Sequence, residues 1–286
     1  MWDIWVAIGL LIAGNFFASC ADVIVKLLGS EGAVFQYLWL RQVFTLLMAL
    51  PLWMRQSPTL RHPGSFKVHI LRAHLSILGA TCTVFALLHL SLATANVIFY
   101  AAPMVTLFLA WYLLKEQVQK YKLVYALMGF VGVVIALRPD QLHWASVLAL
   151  VVAFAIAGFN LLVRYLPDTI SVASVMFWTN LFALPLTSLL MLYWWIPLTD
   201  TVVWMSLGST ITVGLYQICV VKAFRRAPAS DIAIAEYSGL IFAALMGWLI
   251  FAENLDAYTL TGLLLIVLPM SLQSWQQRRL HKNAVA

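Results

Sequence analysis

The sequence predicts an all-α integral membrane protein, with ten transmembrane helices arranged as two inverted five-helix repeats. Three observations lead to this fold class: the composition, the lengths of the apolar segments and a repeat in the sequence. Of the 286 residues, 63% are hydrophobic and 10% are charged, whereas a soluble domain carries about 25% charged residues. So few charges could not cover a soluble chain of this size. The composition therefore argues against a soluble enzyme, a disordered protein and a nucleic-acid-binding protein.

Apolar segments of membrane-spanning length follow one another along the chain. A helix needs about 20 apolar residues to cross the hydrocarbon core of a bilayer. The predicted spans are 4–27, 34–54, 69–90, 95–114, 122–138, 144–165, 171–194, 202–223, 231–251 and 258–275. The connections are short and rich in Pro and Gly, which leaves no room for a soluble domain. The first span lacks a basic leading region, so we expect it to be retained and not cleaved as a signal peptide.

The basic residues predict the orientation of these spans. With both termini on the inner side, all of the 17 Lys and Arg residues except Lys26, Arg41 and Arg138 fall in inner segments. Such a bias assigns the termini and the basic loops to the cytoplasm. We therefore expect a multi-pass protein of the cell membrane (inner or plasma membrane). The net charge of +6 is then an orientation signal, and no nucleic-acid partner is expected.

The sequence also contains an internal repeat. Tyr100, Trp111 and Glu116 recur 137 positions later as Tyr237, Trp248 and Glu253, and an offset of 138 superposes Asp22 on Asn160 and Lys26 on Arg164. Five spans per repeat is an odd number, so the two halves are expected to lie inverted. The predicted division is 1–138, 139–275 and a basic cytoplasmic tail at 276–286. Inverted repeats are typical of transporters, whose binding site lies near the membrane midplane between the repeats.

The segments that close spans four and nine carry a resemblance to a known family. They comprise Ala95, Pro103 and Glu116 in the first half, and Ala227-Pro228-Ala229-Ser230, Glu236-Tyr237, Gly247-Trp248 and Glu253 in the second. With these motifs the chain resembles the EamA-like branch of the drug/metabolite transporter superfamily over nearly its whole length. The resemblance implies a ten-helix, two-repeat carrier for a small organic metabolite. Family members often place Gly before the closing Glu, where this chain has Lys115 and Ala252.

Span one carries the most informative polar residues. Asn15, Ser19, Asp22 and Lys26 follow i, i+4, i+7, i+11 spacing, which places them on one helix face. Polar side chains inside a membrane usually face protein or a water-filled cavity, so each is a candidate site residue. Two interpretations are open. The face lines a substrate path, or it is a polar seam that binds span one to its neighbours.

Arg41 in span two is the second candidate charge. It lies about as far beyond the outer turn as Asp22 lies before it, so an Asp22–Arg41 ion pair near the outer side is geometrically reasonable. Such a pair is either a structural lock or an outer gate that breaks during transport. Without a partner, Arg41 is suited to bind a carboxylate with two parallel hydrogen bonds.

Further polar residues complete the predicted site. Asn96 and Tyr100 share a face of span four with Pro103, which leaves a backbone carbonyl without its helical partner. Tyr100 and Tyr237 are counterparts in the repeat, so they either flank a substrate or pack between helices. The remaining predicted lining residues are Asn160, the counterpart of Asp22, and Tyr216 in span eight.

Glu236 raises the question of energy coupling. A carboxyl group in a low-dielectric site is able to carry protons near neutral pH, which suits a proton-coupled carrier. The alternative is an ion pair with Lys222 or Arg225 that only fixes spans eight and nine.

The sequence favours a secondary carrier. We expect it to move a small polar or zwitterionic metabolite, such as an amino acid or a nucleoside-like compound, by alternating access, as a monomer or a homodimer. No catalytic residue, metal site or cofactor is predicted, because ligand spacings and phosphate-binding or dinucleotide motifs are missing from the sequence. The alternatives are an intramembrane enzyme acting on a lipid and a structural membrane protein that transports nothing.

Overall fold

A computed structural model of the protein describes residues 2–29, 33–115, 120–137, 143–167, 169–224, 226, 235 and 238–268. Within these ranges the secondary structure is helical and contains no strand. The α-helices are α1 (Trp2–Leu27), α2 (Val34–Met54), α3 (Phe66–His89), α4 (Leu92–Phe99), α5 (Ala102–Leu114), α6 (Lys120–Leu137), α7 (Trp144–Leu161), α8 (Val172–Tyr193), α9 (Asp200–Phe224), α10 (Ser238–Phe251) and α11 (Ala257–Leu268). Two 3₁₀ helices cover Pro58–Leu60 and Leu162–Tyr165.

Six of the helices in the described ranges are long and apolar enough to cross a membrane. They are α1, α2, α3, α7, α8 and α9. Shorter apolar helical segments lie at Leu127–Ala136 within α6, at Ser238–Phe251 and at Ala257–Leu268. Large apolar side chains face outwards, such as Trp204 at 69% exposure and Leu249 at 68%. An apolar outer surface of this kind suits contact with lipid. The expected all-helical, multi-pass membrane protein is therefore confirmed, whereas the number of ten spans stays a prediction.

The fourth predicted span differs from expectation, because it consists of two helices. The segment 95–114 was predicted as one helix, but α4 ends at Phe99 and α5 begins at Ala102. Pro103 has no N–H to donate to the preceding turn, so a continuous helix would lose a hydrogen bond at this point. At the break, the Tyr100 N–H donates to the Asn96 carbonyl at 3.0 Å, and the Ala101 N–H donates to the Ile98 carbonyl at 2.9 Å.

The main helix contacts join the first half of the chain to the second. Helix α1 packs against α9 and α10, α2 against α8 and α9, and α3 against α7 and α8. Helix α4 contacts α7 and α10, and α5 also contacts α7. One apolar core is formed by α1, α2, α3 and α4 together with Val202 of α9 and Ala243 of α10, around the fully buried side chains of Tyr37, Leu87 and Leu92. Neither half therefore buries its helices by itself.

Contacts at their termini place α1, α2, α3, α7 and α8 between two ends of the bundle, and those that adjoin along the chain run in opposite directions. At one end, which we call the Lys26 end, α1 and α3 finish and α4 begins, with Lys26 Nζ donating to the Leu90 carbonyl at 2.5 Å. At the other, the Arg61 end, α2 finishes and α8 begins, with Trp178 Nε1 donating to the Arg61 carbonyl at 2.8 Å. Helix α7 starts at the Lys26 end, where the Trp144 ring lies 4.5 Å from the His89 ring.

Candidate functional site

The polar face of α1 contacts the start of α10. Asn15 Nδ2 donates to the Ala235 carbonyl and to Ser238 Oγ, both at 3.0 Å. One turn later, Ser19 Oγ donates to the Gly239 carbonyl at 3.4 Å. Asn15 and Ser19 are both buried, so these hydrogen bonds satisfy polar groups that would otherwise destabilise the packed interface.

The next residue on the same face reaches α4. Asp22 Oδ2 accepts a hydrogen bond from Asn96 Nδ2 at 3.0 Å. Asn96 is buried, and its amide also donates to the Leu92 carbonyl at 3.1 Å. The half-buried Asp22 carboxylate therefore lies beside the last turn of α4, directly before the break between α4 and α5.

Lys26 completes the face at the end of α1. Its ammonium group forms an ion pair with Glu253 Oε1 and lies 5.3 Å from the centre of the Phe251 ring. Glu253 Oε2 in turn accepts the N–H of Leu92, the first residue of α4, at 2.7 Å. We use the name polar seam for the four residues Asn15, Ser19, Asp22 and Lys26 with these partners. All four contact neighbouring helices, which is the arrangement expected of a seam between span one and its neighbours.

In the middle of the seam, the Tyr100 hydroxyl approaches the backbone of α10 at Gly239. A Cβ atom at Gly239 would lie 2.5 Å from the Tyr100 hydroxyl oxygen and 3.6 Å from Asn15 Cβ. Only glycine lets the Tyr100 hydroxyl approach the α10 backbone this closely. Tyr216 of α9 lies on another side of α1, where a Cβ at Gly14 would be 3.5 Å from Tyr216 Cδ2.

Other predicted site residues lie apart from the seam. The Asp22–Arg41 ion pair does not form, since Asp22 bonds Asn96 and the Arg41 guanidinium lies 6.0 Å from the centre of the Tyr37 ring. The pair is missing because α2 packs mainly against α8 and α9, which leaves Arg41 away from the polar face of α1. Asn160 is exposed near the Arg61 end of α7.

The structure does not describe two of the predicted site residues. Glu236 and Tyr237 lie outside the described residues. The pairing of Tyr237 with Tyr100 and the two interpretations of Glu236 therefore stay predictions.

Sequence reasoning missed Glu253 as the partner of Lys26, and it missed Ser238 and Gly239. A signal for the ion pair was present, because alternating spans place the ends of spans one and nine at the same side. The ion pair predicted from the sequence was instead that of Asp22 with Arg41 in the next span, and no partner was predicted for Lys26. The sequence does not single out Gly239, because glycine occurs in apolar spans for many structural reasons.

The residue before each closing Glu has an unusual backbone conformation. Lys115 has φ 53° and Ala252 has φ 52°, and these are the positive-φ residues other than glycine in the described ranges. The two positions differ by 137, the offset of the predicted repeat. Glycine populates this left-handed region without steric cost, whereas residues with a Cβ do not. This geometry favours a glycine at both positions, as the resemblance to the family implies.

The chemistry of the seam suits the binding of polar groups. Asp22 supplies a carboxylate, Asn15 and Asn96 supply amides, and Tyr100 supplies a phenol, so hydrogen-bond donors and acceptors lie close together. No group of three or more His, Cys, Asp or Glu side chains comes together in the part of the chain that the structure describes.

Known proteins resemble this chain over almost its full length. The profile of the EamA-like transporter family matches residues 5–138 and again residues 143–274. An S-adenosylmethionine uptake transporter of Rickettsia felis is 28% identical, over 91% of this chain and 89% of its own. A riboflavin transporter of Vibrio cholerae is 27% identical over 75% and 74% of the two chains. The pseudopaline exporter CntI of Pseudomonas aeruginosa is 24% identical over 90% and 92%.

A solved crystal structure shares the fold. It superposes with a TM-score of 0.52 at 16% identity, and the match covers 98% of this chain and 97% of the other. Two matches of one family profile, which together span nearly all the residues, confirm the resemblance inferred from the motifs. The chain belongs to the EamA-like transporter family.

Proposed function

We propose that the protein is a secondary transporter that moves a small polar or zwitterionic metabolite across the cell membrane. The observation that carries this proposal is the polar seam, where a carboxylate, amides and a phenol meet at a break between two helices inside an apolar bundle. Broken helices at membrane depth are typical of transporter binding sites, where freed backbone groups and polar side chains face the ligand. The named relatives, which transport S-adenosylmethionine, riboflavin and pseudopaline, support a small organic substrate.

The proposed mechanism is alternating access, with residues 1–138 and 139–275 as the two inverted halves. The helix packing supports this division. When the halves are exchanged, the contact of α1 with α9 becomes that of α7 with α3, and the contact of α2 with α9 becomes that of α8 with α3. Counterpart helices also run in opposite directions, since α1 ends at the Lys26 end and α7 begins there. The φ angles of Lys115 and Ala252, which differ by 1°, support the same correspondence.

The substrate is proposed to bind where α1 meets the break between α4 and α5. The half-buried Asp22 carboxylate would receive a cationic group, because it bonds Asn96 in the turn directly before the break. Asn15, Ser19 and Asn96 would hold polar groups, and the Tyr100 ring would contact a flat part of the ligand. Tyr237, Glu236, Asn160 and Tyr216 are proposed to contribute from the second half, and Arg41 to act at the Lys26 end.

S-adenosylmethionine is the first substrate to test. It joins an amino acid to an adenosine and carries cationic groups, so it offers partners both for the Asp22 carboxylate and for an aromatic ring. Riboflavin has a flat ring system but no cationic group. The two compounds therefore separate the contribution of the carboxylate from that of the rings.

The proposed orientation puts the Lys26 end outside the cell and the Arg61 end in the cytoplasm. Arg55, Arg61 and Lys67 lie in or beside the connection between α2 and α3 at the Arg61 end. Basic residues next to membrane spans favour the cytoplasmic side.

Counterflow into vesicles tests the proposed function. Purified protein is reconstituted into vesicles preloaded with one unlabelled compound, and uptake of the same labelled compound is followed for S-adenosylmethionine, riboflavin, amino acids and nucleosides. We expect counterflow of S-adenosylmethionine, slowed at least about tenfold by Asp22→Asn, since hydrogen bonds to charged groups contribute about 1.5–3 kcal/mol. The matched control is Asp200→Asn, the same change at the exposed start of α9.

Two results would overturn the proposal. Turnover of a vesicle lipid without solute exchange would favour the intramembrane enzyme. The absence of both exchange and turnover would favour a structural protein.

Proton coupling has its own test, which is the pH profile of uptake in wild type and in Glu236→Gln. An unchanged profile in the variant would leave Glu236 as an ion-pair partner of Lys222 or Arg225.

A further inference from the structure

We propose that Lys26, Glu253 and the first turn of α4 form an ionic latch that closes the Lys26 end. This inference rests on the proposed alternating access, because such a mechanism needs one end to close while the other opens.

The latch ties four helices together at one point. Lys26 at the end of α1 pairs with Glu253 after α10 and donates to the carbonyl of Leu90, which follows α3. Glu253 also accepts the N–H of Leu92 at the start of α4. Separation of α1 from α10 at this end therefore requires these contacts to break together.

The backbone on either side of Glu253 holds its carboxylate in this position. The left-handed turn at Ala252 reverses the chain after α10, and the Glu253 N–H donates to the Gly247 carbonyl at 3.0 Å. A Cβ at Gly247 would lie 2.6 Å from Glu253 Oε2, so only glycine leaves room for the carboxylate. The carboxylate then meets the positive end of the α4 dipole, which stabilises an anion.

The energetics of a sheltered ion pair make this arrangement switchable. The side chains of Lys26 and Glu253 are 15% and 16% exposed. In such a site each charge is stable with its partner and costly without one. The pair has a stable closed state, and it separates only when water or a ligand reaches both charges.

Distances between spin labels at each end test the latch. Cys20, Cys82 and Cys219 are first replaced, and labels are then attached at Leu27 and Ala252 for the Lys26 end. Labels at Tyr165 and Lys115, their counterparts in the repeat, report on the Arg61 end. All four positions are exposed, and counterflow is measured on each labelled protein.

Glu253→Gln is expected to increase the population with a long Leu27–Ala252 distance by at least about fivefold, which is the lower range of typical coupling between sites. The Tyr165–Lys115 distance should shorten in the same variant. Lys26→Gln removes the other partner of the same ion pair and should produce the same shift in distances. The test therefore remains possible if one of the two variants folds poorly.

Two controls isolate the latch from general effects of charge. Lys26→Arg keeps the charge and should keep the closed distance. Asp256→Asn removes a carboxylate at the same end that caps α11 by accepting the Thr259 N–H at 2.8 Å, and it should leave both distances unchanged. Wild-type counterflow together with unchanged distances in Glu253→Gln and Lys26→Gln would overturn the latch. Failure of wild-type counterflow would instead overturn the proposed function.

Discussion

The contact between α2 and α8 differs in chemistry from the polar seam between α1, α4 and α10. Along α2 and α8 the partners are neutral and mostly aromatic. Trp53 stacks on Phe177 with ring centres 4.2 Å apart at the Arg61 end, and Phe35 stacks on Trp194 at 4.9 Å at the Lys26 end. The seam instead consists of hydrogen bonds and one ion pair.

This difference indicates which of the two helix contacts is suited to open and close during transport. Stacked rings lose buried area when they separate, and lipid offers them no new partner of equal geometry. Polar groups at the seam exchange one hydrogen-bond partner for water or a ligand at little net cost. We therefore expect the α2–α8 contact to stay closed and the seam to change during transport.

The largest effect on stability is expected from Phe177→Ala. Phe177 is buried and stacks on Trp53, and its loss should lower the free energy of unfolding by about 3 kcal/mol. Unfolding in detergent followed by tryptophan fluorescence measures the change. The control is Phe154→Ala on the exposed surface of α7, which should cost less than about 1 kcal/mol. An equal loss in the two variants would contradict the scaffold role of the α2–α8 contact.

Removal of the ion pair is expected to have the next largest effect. Glu253→Gln should lower the free energy of unfolding by about 2 kcal/mol, because it leaves the Lys26 charge without its partner. A double-mutant cycle with Lys26→Gln measures the coupling of the two side chains. The double variant should be more stable than the sum of the single losses predicts. Strict additivity would mean that the pair contributes nothing.

The middle of the seam is probed by Gly239→Ala. The added Cβ would lie 2.5 Å from the Tyr100 hydroxyl oxygen, so Tyr100 has to move, with a loss of about 1.5 kcal/mol and slower counterflow. Gly9→Ala is the matched control on α1, because nothing lies within 4 Å of a Cβ at Gly9. Full transport activity in Gly239→Ala would show that the Tyr100–Gly239 approach is not needed.

The smallest effect is a gain in stability. Ala252→Gly and Lys115→Gly each relieve a left-handed backbone, and each should stabilise the fold by about 0.5–1 kcal/mol. Similar gains would indicate that the two turns are equivalent, as the repeat requires. Gly29→Ala is the reverse change at φ 66° and should destabilise by a similar amount. A loss in either glycine variant would contradict the strain assigned to these turns.

The helices themselves were largely predictable from the sequence. The span predicted at 34–54 is α2 at Val34–Met54, and that predicted at 171–194 is α8 at Val172–Tyr193. Hydrophobicity over about 20 residues and the placement of basic residues are local properties, so one sequence suffices to read them. The four polar residues on one face of α1 were predicted by the same reasoning, since helical spacing decides which side chains share a face.

The tertiary structure alone decided which partners these residues have. Asp22 bonds Asn96 and not Arg41, and Lys26 pairs with Glu253, far away along the chain. It also decided that the chain breaks at Tyr100 and Ala101, and that Gly239 lies beneath the Tyr100 hydroxyl. The physical reason is that helix periodicity specifies the direction of a side chain but not the helix that it meets. That neighbour depends on how all the helices pack at once, and a charge inside a membrane pairs with whatever this packing brings near.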